Sequence, residues 1–248
     1  QNEPVDDVEA FLEMQSRSRT LCSEQPLIAD ESIDVVVSNC VLNLVEDGQK
    51  RQMFREIDRV LANSGRAVIS DIVSDEPVPE EMRADADLWS GCISGALTED
   101  GFLRAFEEAG FHGIRILERA TDPWRTVDGI EFRSLTVEAF KGKEGPCFER
   151  LQAVVYKGPF KEVVDDDDHR IRRGERYAVC DKTFQLLRRE PYRSSFEFVE
   201  PRAAVPLAAA APFDCSRDTT RQPSETKGGD FSLTTEKGST GCGPDECG

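Results

Sequence analysis

The sharpest apolar run in this chain is Ile33-Asp34-Val35-Val36-Val37, closed by the polar pair Ser38-Asn39 and the thiol of Cys40. Three consecutive valines suit a pleated element buried on both faces, so the run predicts a strand over 33–38. Downstream, Met53, Phe54, Ile57, Val60 and Leu61 recur at helical spacing and predict a helix over 47–61, ended by Asn63-Ser64-Gly65. A second strand follows over 66–72. Pro77 and Pro79 break the chain, and 80–89 reads as a helix. Thr98 caps a helix that runs to Ala109 and stops at Gly110. Two more strands are predicted over 112–118 and 134–140. Before the valine run, 5–14 reads as a short helix and Ser16–Thr20 as a linker. This alternation of strand and helix predicts an α/β fold built on a doubly wound, Rossmann-like sheet.

The pattern changes near residue 143. Gln152–Phe160 reads as a strand and turn, and Asp165–Asp168 with His169 as a hairpin tip leading to Tyr177–Cys180. From Pro201 onward Ala, Pro, Ser, Thr and Gly dominate, which predicts an extended or disordered tail. The expected organisation is an N-terminal segment or linker (1–31), the α/β body (32–142), a small β-rich or α+β module (143–200) and a flexible, cysteine-containing tail (201–248).

The chain has 248 residues and a formal net charge of −17, which argues against nucleic acid or an anionic membrane as partner. No apolar run is long enough to span a bilayer and no secretion signal is visible. Eight cysteines are spread through the chain without a Cys-x-x-Cys pair, and only His112 and His169 supply imidazoles. A structural zinc site is therefore not expected, and the thiols suit a reducing, cytoplasmic setting. An isolated thiol of this kind is most often a small buried hydrophobe.

Two thiols depart from that expectation. Cys40 sits at the carboxyl end of a predicted strand, where chemistry is placed in open α/β sheets, beside the polar Ser38 and Asn39. Cys92 lies in Trp89-Ser90-Gly91-Cys92-Ile93-Ser94-Gly95-Ala96-Leu97, a Gly/Ser loop able to bring backbone and a thiol against a ligand. Each has a plain alternative: a core cysteine, and a simple turn between helices.

These residues resemble the S-adenosylmethionine-dependent arsenite methyltransferases, a class I methyltransferase family. The resemblance rests on Ser38-Asn39-Cys40-Val41-Leu42-Asn43-Leu44, Arg59-Val60-Leu61, Val68-Ile69-Ser70-Asp71 and Trp89–Leu97, and covers roughly residues 26–200. It implies a methyl transfer from S-adenosylmethionine to trivalent arsenic, supplied as arsenite or its thiol conjugate and supported by a thiol reductant. Cys40 and Cys92 are then the arsenic ligands, and Ser38 and Asn39 border the cofactor pocket. Thiolates are the soft ligands that such a centre needs. No general base is required, because the arsenic lone pair is already the nucleophile.

One departure from the family is plain. No glycine precedes Gly48, so the glycine-rich cofactor loop and the acidic residue that follows it do not stand before Cys40, and Cys22 does not match the family's upstream cysteines. The chain thus reads as the C-terminal half of the methyltransferase domain with its C-terminal module, and weak or absent cofactor binding by this chain alone is expected. Without the strand that carries the loop, 33–38 is expected to be an exposed apolar edge. Two other readings stay open: a methyltransferase for another small molecule, and a non-catalytic remnant that binds As(III) or a soft metal. Asp165–Asp168 reads as a solvated turn. Cys147, Cys180 and Cys215 read as structural or surface thiols, and the Cys242/Cys247 pair as a weak soft-metal capture site.

Overall fold

The structure, a computed structural model, describes residues 7–24, 26–216 and 219–228. The chain forms two compact units, Gln1–Gly142 and Lys143–Gly248.

The first unit opens with α1 (Val8–Glu24), whose start is capped by Asp7 Oδ1 accepting the Ala10 N–H at 2.8 Å. Its helix runs straight through Ser16–Thr20, where a linker was expected. Nothing between Val5 and Glu24 is Gly or Pro, and Thr20 Oγ1 donates back to the Ser16 carbonyl at 3.1 Å, so the hydroxyl is satisfied inside the helix. Next come β1 (Ile33–Asn39), a 3₁₀ turn (Leu42–Leu44), α2 (Asp47–Val60) and β2 (Leu61–Ser74). The expected single helix over 80–89 is two, α3 (Glu80–Arg83) and α4 (Ala86–Ser90). Asp85 divides them, because its Oδ1 accepts the N–H groups of Asp87 and Leu88 and starts a new helix. The unit closes with β3 (Leu97–Thr98), α5 (Glu99–Glu108, capped by Thr98), β4 (His112–Arg119), β5 (Arg125–Val127) and β6 (Ile130–Phe140).

The sheet order is β1-β2-β6-β4. β1 pairs parallel to β2, with Asn39 opposite Ser70, whereas β2–β6 and β6–β4 are antiparallel. The α/β sheet is therefore parallel on the β1 side and antiparallel on the β4 side, a distinction that alternation of elements does not carry. Among the described residues β1 is an edge. Val35 and Val37 are 43% and 72% exposed, as expected for an apolar strand with one neighbour.

The core lies between the sheet and helices α2 and α5. Phe106 is the hub of an edge-to-face cluster, with the rings of Phe54, Phe102 and Phe111 each 4.9–5.7 Å from it between centroids. Glu138, 3% exposed, is held by Arg66 and Arg115. A smaller cluster of Val78, Met82, Ile93, Ala96, Ile130 and Phe132 lies beneath the 91–96 loop.

The second unit contains β7 (Phe148–Glu149), β8 (Ala153–Tyr156), β9 (Glu162–Val164), β10 (Arg170–Arg172), β11 (Arg176–Ala178), α6 (Asp181–Leu187), β12 (Phe196–Val199), β13 (Ala211–Pro212) and α7 (Pro223–Lys227). β11-β8-β12 form one sheet, β9–β10 a hairpin, and β13 pairs with β7. Residues 201–216 and 219–228, expected as part of an extended tail, pack onto this unit. β13 lies on β7, and the buried Arg221 binds both Glu149 oxygens at 2.7 and 2.8 Å. Such an anchor draws on long-range pairing that local composition does not signal. Among the described residues, no helix is long and apolar enough to cross a membrane.

Candidate active site at the end of the first strand

The carboxyl end of β1 turns sharply. Cys40 adopts a left-handed backbone (φ 54°) and donates its N–H to the Ser70 carbonyl at 2.9 Å, continuing the ladder onto β2. The next residue, Val41, returns to the right-handed region (φ −116°, ψ −31°). This left-to-right reversal turns successive N–H groups toward one point. The carboxylate of Asp71 sits there, 1% exposed, with Oδ2 accepting the Leu42 N–H and Oδ1 the Ile72 N–H, both at 2.8 Å. Burial pushes the Asp71 carboxyl above its ordinary value, against the lowering effect of the N–H groups of Ile72, Leu42, Asn43 and Val41.

The second thiol comes from the Gly/Ser loop. Cys92 is also left-handed (φ 59°), and its N–H closes on the Trp89 carbonyl at 3.0 Å. The fully buried Ile93 anchors the loop from below. Asn43 anchors it from the side, its Nδ2 donating to the Ile72 carbonyl at 2.6 Å and the Cys92 carbonyl at 3.0 Å. Gly95 has to be glycine for this approach, since a Cβ there falls 2.1 Å from the Asn43 carbonyl oxygen. Lys50, buried against the same loop, donates to the Gly95 carbonyl.

Cys40 and Cys92 thus meet at one rim. Cys92 Sγ lies 3.8 Å from the Cys40 carbonyl oxygen, Cys40 is exposed, Cys92 half-buried, and both thiols are free. Burial, and after it the Asp71 charge, push both thiols up; Cys40 adds to the effect on Cys92. These are not activated, low-pKa nucleophiles. Ser38 is half-buried and Asn39 exposed on the last residues of β1. Two left-handed non-glycine residues at one rim are a cost of the kind that gathers at functional sites.

Sequence reasoning missed the parts played by Asp71 and Asn43. Each acts through backbone groups of a distant segment, and a lone buried polar residue after an apolar run is the one signal that pointed to them. Asp165, expected at a solvated tip, instead accepts the His169 ring N at 2.8 Å and the backbone N–H groups of Asp167 and His169. Cys147, Cys180 and Cys215, expected to stand apart, come together in the second unit. Cys242 and Cys247 lie outside the described residues.

Residues 14–110 match the family model of a methyltransferase domain, and residues 143–231 match a family described as a domain of unknown function. The strand–turn–helix unit that carries Cys40 thus belongs to a methyltransferase domain. Arsenite methyltransferase of Aquipseudomonas alcaligenes is 33% identical over 186 residues, covering 69% of this chain and 53% of that protein. Arsenite methyltransferase of Mus musculus is 32% identical over 189 residues, covering 72% and 50%. A solved arsenic(III) S-adenosylmethionine methyltransferase from Chlamydomonas reinhardtii aligns at 27% identity and a TM-score of 0.48, over 78% of this chain and 66% of that one. Over the matched residues the chain is similar to arsenite methyltransferases. It spans about half the length of these two curated relatives.

Proposed function

We propose that this chain carries the arsenic-binding part of a methyltransferase that moves a methyl group from S-adenosylmethionine to trivalent arsenic. Cys40 and Cys92 are the two arsenic ligands. The observation that carries this reading is their convergence from 52 residues apart to one rim, with Cys92 Sγ at 3.8 Å from the Cys40 carbonyl oxygen.

The protonation of the thiols suits that role. A raised pKa keeps both as S–H at neutral pH, and each can displace a hydroxide from arsenite as water while forming an S–As bond. Arsenic stays trivalent and keeps its lone pair. The protein's contribution is then to hold the centre in place. Asp71 braces the turn that presents Cys40, and Asn43 braces the loop that presents Cys92.

S-adenosylmethionine supplies the methyl group in this class, and Ser38 and Asn39 border its pocket in this reading. The residues present fit that cofactor only in part. The 39 residues before Cys40 contain no glycine to let backbone approach it. The substrate is arsenite or its thiol conjugate, a thiol reductant keeps Cys40 and Cys92 as free thiols, and the acidic chain takes no nucleic-acid partner.

Arsenite-dependent transfer of labelled methyl tests the reading, run on this chain and on a longer version that includes any upstream coding sequence. Activity in the longer form that is lost in Cys40→Ser and Cys92→Ser is the expected result. Activity that survives both substitutions overturns the assignment. Arsenite binding without transfer in either form would favour the non-catalytic alternative.

A further inference from the structure

The second unit holds a group of thiols that the reading above does not use. The ligand atoms of Cys147, Cys180 and Cys215 all lie within 4.8 Å of one another, and none of the three is in a disulfide. Cys180 is buried; Cys147 and Cys215 are half-buried. They come from three separate stretches of chain. Cys147 directly precedes β7 and Cys215 follows β13, and pairing of those strands brings them side by side, with the Phe213 N–H on the Cys147 carbonyl at 2.9 Å. Cys180 directly precedes α6, which Arg150 ties to the end of β7 through Asp181 at 2.7 Å.

Three sulfurs outside any disulfide and this close, on elements braced by ladder and ion pair, form a donor set for a centre, although Cys180 Sγ also accepts the Thr183 N–H at 3.4 Å. A centre bound at about 2.3 Å to each sulfur draws them to just under about 4 Å of one another, a small adjustment from the observed spacing. The donor set is all-sulfur, which selects a soft centre. Among the described residues its number is three. His169, the imidazole beside it, is engaged at both ring nitrogens, by Asp165 at 2.8 Å and by the Cys215 carbonyl at 3.1 Å. Among the described residues no fourth Cys, His, Asp or Glu joins the group. Structural zinc asks for four protein ligands. A trivalent arsenic asks for three, its fourth direction being the lone pair. Beside Cys215 an open hollow lined by Asp167, His169, Lys182, Thr183 and Ser216 gives access.

We propose that Cys147, Cys180 and Cys215 form a second, independent binding site that holds a trivalent thiophilic centre of the arsenite type as a trithiolate. Binding is an exchange without redox change: three S–As bonds form, three As–OH bonds break, and the three thiol protons leave with the hydroxides as three waters. Three sulfurs hold the centre more firmly than the two at Cys40 and Cys92, so this is a holding site and not a second reaction centre.

The test uses the full chain with Cys22, Cys40, Cys92, Cys242 and Cys247 replaced by Ser, reduced with a phosphine that is removed before the titration. It therefore reads nothing from the proposed active site. Arsenite is titrated by equilibrium dialysis with elemental analysis, and free thiols are counted with a disulfide reagent. The expected result is one arsenic per chain and the loss of all three reactive thiols. Cys215→Ser and Cys147→Ser, both half-buried positions, then weaken binding at least about tenfold while circular dichroism stays unchanged. No bound arsenic, or binding indifferent to both substitutions, overturns the proposal. So does one zinc ion per chain that arsenite in excess fails to displace, since that assigns the thiols to zinc.

Discussion

The Sγ of Cys92 lies 3.8 Å from the backbone carbonyl oxygen of Cys40, and both residues carry positive φ. A thiol from a loop and a thiol from a strand end are therefore presented together on one rim, each at a backbone cost that a core cysteine would not meet. On the proposed reading, arsenic affinity at this rim depends on two residues at once. In Cys40→Ser or Cys92→Ser the second, preorganised ligand is lost, and arsenite affinity at this rim should fall by roughly 10²-fold. Isothermal titration with Cys147, Cys180 and Cys215 replaced reads it; an equal affinity in either variant would show that the two thiols do not act together.

Asp71 faces the same rim from below. Its charge is the second cause, after burial, that raises both thiols. In Asp71→Asn that charge is gone, so at any given pH more of each thiol is ionised. The midpoint of the pH–rate profile for alkylation of Cys40 and Cys92 by iodoacetamide should move to lower pH, while staying above that of a free cysteine because burial remains. A midpoint that moves upward or stays put contradicts this account of the site.

The backbone of Cys40 offers a separate check. A left-handed L-residue costs about 1–2 kcal/mol. Glycine escapes that cost but loses about 0.5–1 kcal/mol of chain entropy. Cys40→Gly should therefore fold with stability equal to or slightly above the parent, in urea titration, and bind arsenite as poorly as Cys40→Ser. A substantial loss of stability would mean that the thiol is there for packing.

Gly95 reports on how the loop is seated. A Cβ at this position meets the Asn43 backbone at 2.1 Å, and backbone cannot step aside as a side chain can. Gly95→Ala should cost about 1–3 kcal/mol or more and displace Cys92 from Cys40. Lower urea midpoints together with weaker arsenite binding are expected; unchanged values for both would place the loop elsewhere.

Much of the fold could be read locally. Val35-Val36-Val37 announced a strand, the Phe54/Ile57/Val60 spacing a helix, and Thr98 with Gly110 the two ends of α5. Each depends on period or on capping, which a short window contains. The helix through Ser16–Thr20 and the ordered stretch to Gly228 were misread for the same reason. Composition there looks like linker, while Arg221 on Glu149 and β13 on β7 are long-range contacts.

By itself the sequence determined that Cys40 ends a strand and that Cys92 stands in a Gly/Ser loop between predicted helices. Only the tertiary structure decided which thiols meet. It took the β1–β2 register to set Cys40 on Ser70, and Asn43 to draw in the Cys92 loop from 49 residues away. It took the β7–β13 pairing to gather Cys147 and Cys215 beside Cys180. A ligand set is a matter of distance between side chains, and spacing along a chain fixes that distance only within one helix or strand.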